Sequence, residues 1–319
     1  MEKEPDPDEL VASTAGPFRS FFPGTPTKTA SCVAILLALL FVAPYGALGQ
    51  SFPKVADKVT APTAFTYRQI GAQSLKAYVF FPPTTAKHRS AILLFHGGAW
   101  QLGEASWMFG RAKEFADKGM VAIAADYRLS NDGRSPVDGV ADACAAFVWV
   151  REQAQKFAID PHRVAGYGWS SGGHLVAAAA TLPFVEGKPV TASARPDALL
   201  LYSPALNMAK DSYFMRLMAG KGDPASYSPS EFISHALPPT LIIQGEEDTI
   251  VLARDARAFC RAADKVGARC ELQVYPGVGH LLTRNLKVQY KDFDSDPADA
   301  ADAHQREDRF LTSLGYIPK

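Results

Sequence analysis

Residues 164–174, Val-Ala-Gly-Tyr-Gly-Trp-Ser-Ser-Gly-Gly-His, decide the fold of this chain. An apolar run ends at Gly168, and Gly168-Trp169-Ser170-Ser171-Gly172 leads directly into an alanine-rich segment. The run predicts a buried strand, and the segment predicts a helix after a sharp turn. This is the context in which the pattern G-x-S-x-G exposes a serine at the end of a strand. We therefore predict that Ser170 is a nucleophile and that the Ser171 N–H, at the helix start, faces developing negative charge.

Short apolar runs alternate with helical segments on both sides of this stretch. The predicted strands are 91–95, 120–125, 164–168, 198–202, 240–244 and 271–275, and the predicted helices are 109–118, 136–157, 171–181, 253–266 and 297–314. The strands lack polar alternation, which indicates a mostly parallel sheet covered by helices on both faces. Before them, 65–69 and 75–81 predict an antiparallel hairpin at the sheet edge. The fold class is therefore α/β, with a doubly wound sheet and an N-terminal hairpin.

The carboxyl ends of the strands are where functional groups collect in such a sheet. The strand 91–95 runs into His96-Gly97-Gly98-Ala99-Trp100. Two consecutive glycines can simply make a turn, or they can present backbone N–H groups to an oxyanion. Gly97 and Gly98 are therefore candidate oxyanion donors.

A serine hydroxyl becomes a nucleophile only when a base takes its proton and a carboxylate orients that base. Of the seven histidines, His280 lies in a glycine-containing loop just beyond a strand end, so it is the predicted base. Asp248 follows the strand 240–244 and is the predicted carboxylate, with Glu247 as the alternative. The chain order Ser170, Asp248, His280 favours this assignment over a solvated acidic turn.

Seven motifs between residues 65 and 316 can be compared with known families. In chain order they are His96-Gly97-Gly98-x-Trp100, Asp126-Tyr127-Arg128-Leu129, Asp160-Pro161-x-Arg163, Gly168-x-Ser170-x-Gly172-Gly173-His174, Pro238-Pro239-Thr240-Leu241, Gly245-x-x-Asp248 and Tyr275-Pro276-Gly277-x-Gly279-His280. Together they resemble the α/β-hydrolase superfamily, in particular its acetyl-esterase and feruloyl-esterase-like branch related to hormone-sensitive lipase.

The resemblance implies a serine carboxylic ester hydrolase that forms an acyl-enzyme on Ser170. It also implies that Gly97, Gly98 and Ser171 form the oxyanion hole, that His96 braces the oxyanion loop, and that Asp126 and Arg128 support the structure. The expected substrates are short-chain acyl esters, with acetyl or aryl groups.

The chain departs from the family pattern at two positions. Gln244 stands where a histidine commonly precedes the glycine, and the bulky Trp169 precedes the nucleophile. We expect Trp169 to narrow the acyl site and, with Trp100, to contact substrate. The segment 207–235 is longer than a simple turn and predicts either a small cap over Ser170 or an ordinary surface insertion.

Composition excludes some functions and favours others. Lysine plus arginine and aspartate plus glutamate number 33 each, and no basic run stands out, so we expect a small-molecule ester and not nucleic acid as the partner. The histidines and cysteines show no metal-ligand spacing, and we expect no metal or organic cofactor. The alternatives are a serine peptidase-like protein, a non-catalytic member of the fold, and an enzyme with a carboxylate or thiol nucleophile.

Residues 1–49 predict a leader and 50–319 the catalytic domain. No charged residue occurs in 29–53, and the apolar stretch 32–43 has the length of a signal-peptide core. Ala47 and Gly49 would suit cleavage before Gln50. We expect export to the periplasm or the extracellular space. The alternative is a membrane anchor retained through residues 29–48.

Cys260, in a predicted helix, and Cys270, at the start of the next strand, are close in sequence. The short connection through Gly267 could bring them within bridging distance, which would suit an oxidising compartment. The alternative is that both are small core side chains.

Overall fold

The computed structural model describes residues 61–83, 86–131 and 133–318. Its strands are β1 (Thr63–Ile70), β2 (Gln73–Phe80), β3 (Arg89–Phe95), β4 (Val121–Ala125), β5 (Ile159–Trp169), β6 (Phe184–Val185), β7 (Lys188–Pro189), β8 (Ala198–Tyr202), β9 (Thr240–Gly245) and β10 (Cys270–Tyr275). Its α-helices are α1 (Phe109–Asp117), α2 (Pro136–Glu152), α3 (Ala154–Phe157), α4 (Ser171–Thr181), α5 (Ser212–Met218), α6 (Ala253–Lys265) and α7 (Pro297–Ser313).

One sheet of eight strands, in the order β1-β2-β4-β3-β5-β8-β9-β10, organises this part of the chain. The hairpin β1–β2 is antiparallel and joins β4 antiparallel, while the pairs from β4 to β10 are parallel. The chain moves from β3 to β4 in one direction and then returns past β3 to β5. The predicted doubly wound sheet with its N-terminal hairpin is thus confirmed, and its topological switch point lies between β3 and β5.

Two hydrophobic clusters cover the two faces of the sheet. Alternate residues of β3 point to opposite clusters: Leu93 packs on the side of α2 and α4, and Leu94 packs on the side of α1 and α7. This alternation is the two-residue period of a strand whose two faces are both buried. It explains why the strand sequences read as continuous apolar runs.

The helix ends follow local sequence signals. Ser135 and Asp138 form a capping box at the start of α2, with Pro136 at the first helical position. The Asp296 carboxylate accepts hydrogen bonds from two backbone N–H groups at the start of α7. The single helix predicted over 136–157 is wrong in one detail, because the chain leaves the helical conformation at Gln153 and divides it into α2 and α3.

A disulfide joins Cys260 on α6 to Cys270 on β10, with the two Cα atoms 5.2 Å apart. The bond ties the end of a helix to the start of the strand that follows it.

The predicted leader, residues 1–49, and its apolar stretch 29–48 lie outside the described residues. Within 61–318, apart from the short gaps, no helix has the length and apolar character needed to cross a membrane.

Candidate active site

The turn between β5 and α4 holds Ser170 in a strained backbone conformation. Its φ is 51° and its ψ is −116°, a combination that a non-glycine residue rarely adopts. The turn is tight because a side chain at Gly172 would overlap the carbonyl oxygens of Phe95 and His96. The strain and the close approach together expose Ser170 at the carboxyl edge of the sheet, next to the switch point between β3 and β5.

The structure brings the three predicted triad residues together. The His280 Nε2 lies 3.0 Å from the Ser170 Oγ, and the His280 Nδ1 lies 2.8 Å from the Asp248 Oδ2. An ionised carboxylate only accepts hydrogen bonds, so Nδ1 carries the ring proton and Nε2 is left to accept the serine proton. The side chains of Asp248 and His280 are at most 5% exposed, so this chain of hydrogen bonds is shielded from water.

Four donors converge on the buried Asp248 carboxylate. The backbone N–H groups of Ile250 and Val251 donate to Oδ1 at 2.9 Å each. The Gln244 Nε2 donates to Oδ2 at 3.0 Å, beside the His280 Nδ1. A carboxylate held by this many donors has little rotational freedom, so it fixes the direction in which the imidazole points. Glu247, the alternative to Asp248, makes no contact with His280 among the printed hydrogen bonds and instead accepts from the Gly277 N–H.

Gln289 connects the loop that carries Asp248 to the loop that carries His280. Its Oε1 accepts from the backbone N–H groups of Thr249, at 3.1 Å, and His280, at 3.0 Å. Its Nε2 donates to the Glu247 carbonyl oxygen at 2.8 Å. Gln289 is buried, and it is a functional residue that sequence reasoning missed. The reason is that a lone glutamine in an irregular segment carries no sequence signal.

The loop after β3 lies against the nucleophile. Gly97 and Gly98 line the pocket that opens on Ser170, and a side chain at Gly97 would meet the Ser170 Cβ and the Trp169 carbonyl oxygen. Ser171 is the first residue of α4, so its N–H has no acceptor within the helix. The three predicted oxyanion donors therefore belong to the two segments that flank the switch point.

His96 lies under this loop and is buried. Its Nδ1 is 2.6 Å from the Gly97 carbonyl oxygen, and its ring stacks on Tyr127 with the centroids 4.4 Å apart. Burial lowers the pKa of His96 to about 4, so the ring is neutral near pH 7. A neutral ring whose Nδ1 carries the proton donates to the carbonyl, which fits the bracing role that the family resemblance implies.

Trp100 does not line the pocket, which corrects its assignment as a substrate contact. Its φ of 61° turns the indole inward, and the side chain is buried. The indole N–H donates to the His174 Nδ1 at 3.2 Å, and the ring packs against Phe214 of α5 with the centroids 5.1 Å apart. Sequence spacing placed Trp100 beside the glycines, but the left-handed turn reverses the direction of its side chain.

The segment 207–235 packs behind the site and not over it. Besides α5 it contains two turns of 3-10 helix, Pro224–Tyr227 and Pro229–Phe232. Its Tyr227 carbonyl oxygen accepts from the His174 Nε2 at 2.8 Å. None of its residues is among those that line the pocket in the described part of the chain. The predicted cap over Ser170 is therefore wrong, because the apolar residues of this segment are used against Trp100 and His174.

The pocket that opens on Ser170 and His280 has a volume of about 410 Å³. Large apolar side chains make most of its wall: Leu102, Trp107, Trp169, Tyr202, Tyr290 and Phe293. Sequence reasoning found only Trp169 among these. Tyr202 was within reach, because it ends a predicted strand. The others lie on loops without a regular pattern, and only the fold shows which way they face.

Trp169 occupies the wall position that the sequence predicted. Its indole N–H donates to the Tyr167 Oη at 2.8 Å, beneath the pocket floor. Tyr167 hydrogen-bonds in turn to Glu307, which is paired with Arg111. Burial raises the pKa of Glu307, and Arg111 and Tyr167 oppose that shift. This chain of buried polar groups anchors the Trp169 ring to α1 and α7.

No cluster of three histidine, cysteine, aspartate or glutamate side chains that could hold a metal ion occurs in the described residues. The arrangement at Ser170 instead combines a nucleophile, a base, a carboxylate and two groups of backbone donors. Comparison with known proteins places this geometry in a family. A family model for the alpha/beta hydrolase fold matches residues 92–284.

The chain belongs to the α/β-hydrolase fold family. This α/β hydrolase is similar to the esterase 2 of Thermogutta terrifontis, with 30% sequence identity and a TM-score of 0.73 over 82% of this chain and 98% of that one. It is also similar to the para-nitrobenzyl esterase of Bacillus subtilis, 30% identical over 155 residues, which are 44% of this chain and 31% of the relative. The arylesterase of Saccharolobus solfataricus is 30% identical over 140 residues, which are 42% of this chain and 45% of the relative. The matches thus span less than half the length of these two curated relatives.

Proposed function

We propose that this α/β hydrolase is a serine carboxylic ester hydrolase that cleaves short-chain acyl esters, acetyl or aryl. The observation that carries the proposal is the run of contacts Ser170 Oγ, His280 Nε2, His280 Nδ1 and Asp248 Oδ2, with separations of 3.0 and 2.8 Å, at the floor of an apolar pocket. The similarity to esterases of three bacterial and archaeal species supports it.

In the proposed first half-reaction, Ser170 attacks the ester carbonyl carbon while His280 Nε2 takes the hydroxyl proton. The developing imidazolium is stabilised by the Asp248 carboxylate, which is already fixed by Gln244 and two backbone donors. The oxyanion of the tetrahedral intermediate is assigned to the N–H groups of the 97–98 loop and of Ser171. The intermediate collapses as His280 returns the proton to the leaving alcohol oxygen.

In the second half-reaction, water attacks the acyl-enzyme while His280 takes a proton from it. The second tetrahedral intermediate then expels the Ser170 oxygen, which regains its proton from the imidazolium. The same donors serve both steps, because both intermediates carry the negative charge on the same oxygen.

The preference for short acyl groups rests on the position of Trp169. Its ring lies beside the nucleophile and is tied down by Tyr167, so it cannot easily move aside for a long chain. The names of two similar proteins, a para-nitrobenzyl esterase and an arylesterase, are consistent with aromatic ester groups.

A series of p-nitrophenyl esters from acetate to palmitate tests the proposal. We expect kcat/KM to be highest for the shortest acyl chains, and we expect Ser170→Ala to lose at least about a thousandfold in kcat. Ser193→Ala, at an exposed serine outside the pocket, is the matched control and should behave as the parent protein. Unchanged turnover in Ser170→Ala, or no turnover of any ester by the parent protein, would contradict the assignment.

An organophosphate provides a second test that does not depend on the choice of ester. The similar Thermogutta terrifontis esterase 2 is known in a form phosphorylated by paraoxon. We expect paraoxon to label this chain once, at Ser170, as measured by intact-protein and peptide mass spectrometry. Labelling of Ser170→Ala to the same extent would show that another residue is the nucleophile.

We also propose that the protein is exported. The Cys260–Cys270 disulfide supports an oxidising compartment, and residues 29–48 have the apolar character of a leader. The test is N-terminal sequencing of protein recovered outside the cytoplasm. A start near Gln50 is expected after cleavage, whereas an intact N-terminus in a membrane fraction would indicate the retained anchor.

A further inference from the structure

The wall of the Ser170 pocket is aromatic on several sides. Trp107, Trp169, Tyr202, Tyr290 and Phe293 all line it. Aromatic rings carry negative charge on their faces, so a group of rings attracts a weakly hydrated cation as well as an apolar group.

The rings present little competing polarity where the contacts are known. The Trp169 N–H is used by Tyr167 outside the pocket, so this residue contributes ring surface and not a donor. Tyr202 is buried at the end of β8, and only a small part of it reaches the pocket.

The charge of the lining points in the same direction. Glu104 lines the pocket and is exposed, and its carboxylate accepts a hydrogen bond from the Ser106 hydroxyl. No lysine or arginine is among the lining residues in the described part of the chain. The nearest one that the contacts identify, Lys291, lies outside the lining with its Nζ 5.6 Å from the centroid of the Tyr290 ring. The pocket therefore combines aromatic rings with one carboxylate and leaves that charge without a basic neighbour in its lining.

We propose that this pocket selects esters whose alcohol half bears a cationic ammonium group. The inference rests on the proposed ester hydrolysis and names the class of alcohol. The acyl group lies between Trp169 and Ser170, and the ammonium group of the alcohol lies among Trp107, Phe293 and the Glu104 carboxylate. Anionic esters are disfavoured by the same carboxylate.

An isosteric pair of esters tests the charge alone. Acetylcholine and 3,3-dimethylbutyl acetate have the same shape and the same acetyl group, and they differ in one quaternary nitrogen against one quaternary carbon. We expect kcat/KM to be about tenfold higher for the cationic ester, since a cation among partly desolvated rings gains a factor of this size. A ratio of one or less would overturn the proposal.

Two variants assign the selectivity to the pocket. Glu104→Gln should lower the ratio of the two kcat/KM values about threefold, the size expected of a partly exposed charge pair. Trp107→Leu should lower it further by removing a ring. Glu152→Gln removes the same charge from an exposed glutamate at the far end of α2 and should leave both rates unchanged. An unchanged ratio in both pocket variants would overturn the proposal, because the selectivity would then arise elsewhere.

Binding measured without turnover separates this proposal from the proposed function. Calorimetric titration of Ser170→Ala with each ester should show the cationic ester binding about tenfold more tightly. If neither ester is hydrolysed but this preference is present, the proposed function fails and the cation site stands. If both are hydrolysed and neither rate nor binding discriminates between them, the cation site fails and the proposed function stands.

Discussion

Gln244 is the residue at which this chain departs from the pattern of its family, and the structure gives it a contact with the triad. Its Nε2 donates to the Asp248 Oδ2 and to the Val251 carbonyl oxygen, at 3.0 Å each. Both partners only accept hydrogen bonds, so the amide nitrogen must be the atom that faces them. A glutamine can thus orient the carboxylate from the same strand position where a histidine is common.

We predict that Gln244→Leu lowers kcat about tenfold with little change in KM. The reason is that a charge-assisted hydrogen bond contributes about 1.5–3 kcal/mol, and its loss leaves Asp248 less firmly held. Steady-state kinetics with p-nitrophenyl acetate measure the effect. Gln273→Leu, on the edge strand β10 and outside the pocket, is the control. A kcat equal to that of the parent protein would remove Gln244 from the positioning of the triad.

Gln289 makes a second prediction at the residue scale. Gln289→Ala leaves the buried N–H groups of Thr249 and His280 without an acceptor, and each unsatisfied donor costs about 1–3 kcal/mol. We therefore expect the free energy of unfolding to fall by about 2–4 kcal/mol and kcat to fall with it. Urea denaturation and ester turnover give the two values. Gln153→Ala, at the junction of α2 and α3 and away from the pocket, is expected to change neither by a comparable amount.

At the scale of elements, the sheet delivers each catalytic group from a different strand. Ser170 follows β5, Asp248 follows β9, and His280 follows β10. The oxyanion loop follows β3, which pairs directly with β5. The carboxyl ends of these parallel strands meet at one edge, so residues more than a hundred positions apart come within 3.0 Å.

The disulfide between α6 and β10 leads to a prediction about stability without an effect on catalysis. Cys260 and Cys270 are separated by 10 residues, and closing a loop of this length stabilises a fold by about 3 kcal/mol. The bond lies at the start of β10, whereas His280 lies beyond its other end. The double variant Cys260→Ala/Cys270→Ala should therefore unfold at lower denaturant concentration while its kcat stays near the parent value. A large loss of kcat in the folded variant would show that the disulfide also positions the His280 loop.

The whole molecule carries two buried neutral histidines that predict how its stability depends on pH. Burial lowers the pKa of both His96 and His174 from 6.5 to about 4. A histidine with a lowered pKa in the folded state contributes stability that is fully present above 6.5 and is lost as the pH falls toward 4. The unfolded chain takes up protons in this range, and the folded chain does not.

We accordingly predict that the free energy of unfolding falls by about 2 kcal/mol per histidine between neutral pH and about pH 5. Urea unfolding at the two pH values measures the change. His174→Gln, which keeps a side chain able to hydrogen-bond but does not titrate, should show roughly half of the decrease attributed to the pair. Stability independent of pH over this range would contradict the neutral, buried state of both rings.

The sequence by itself determined the α/β fold class and the order of the elements, because strands buried on both faces carry continuous apolar runs and helices carry their own end signals. It also identified Ser170, Asp248 and His280, since each stands at a strand end where glycines and chain order restrict the alternatives. These are local properties of the chain, and the triad geometry at 2.8 and 3.0 Å agrees with them.

Only the tertiary structure decided which residues surround that triad. Trp100 and the segment 207–235 turn away from the pocket, while Glu104, Tyr290 and Phe293 turn toward it. Gln289 contacts two catalytic loops at once. Side-chain direction on irregular loops depends on backbone φ and on packing between segments distant in sequence, and neither leaves a periodic pattern in the chain. The chemistry of Ser170 is therefore written locally, whereas the shape and charge of the pocket that selects its ester arise from the assembled fold.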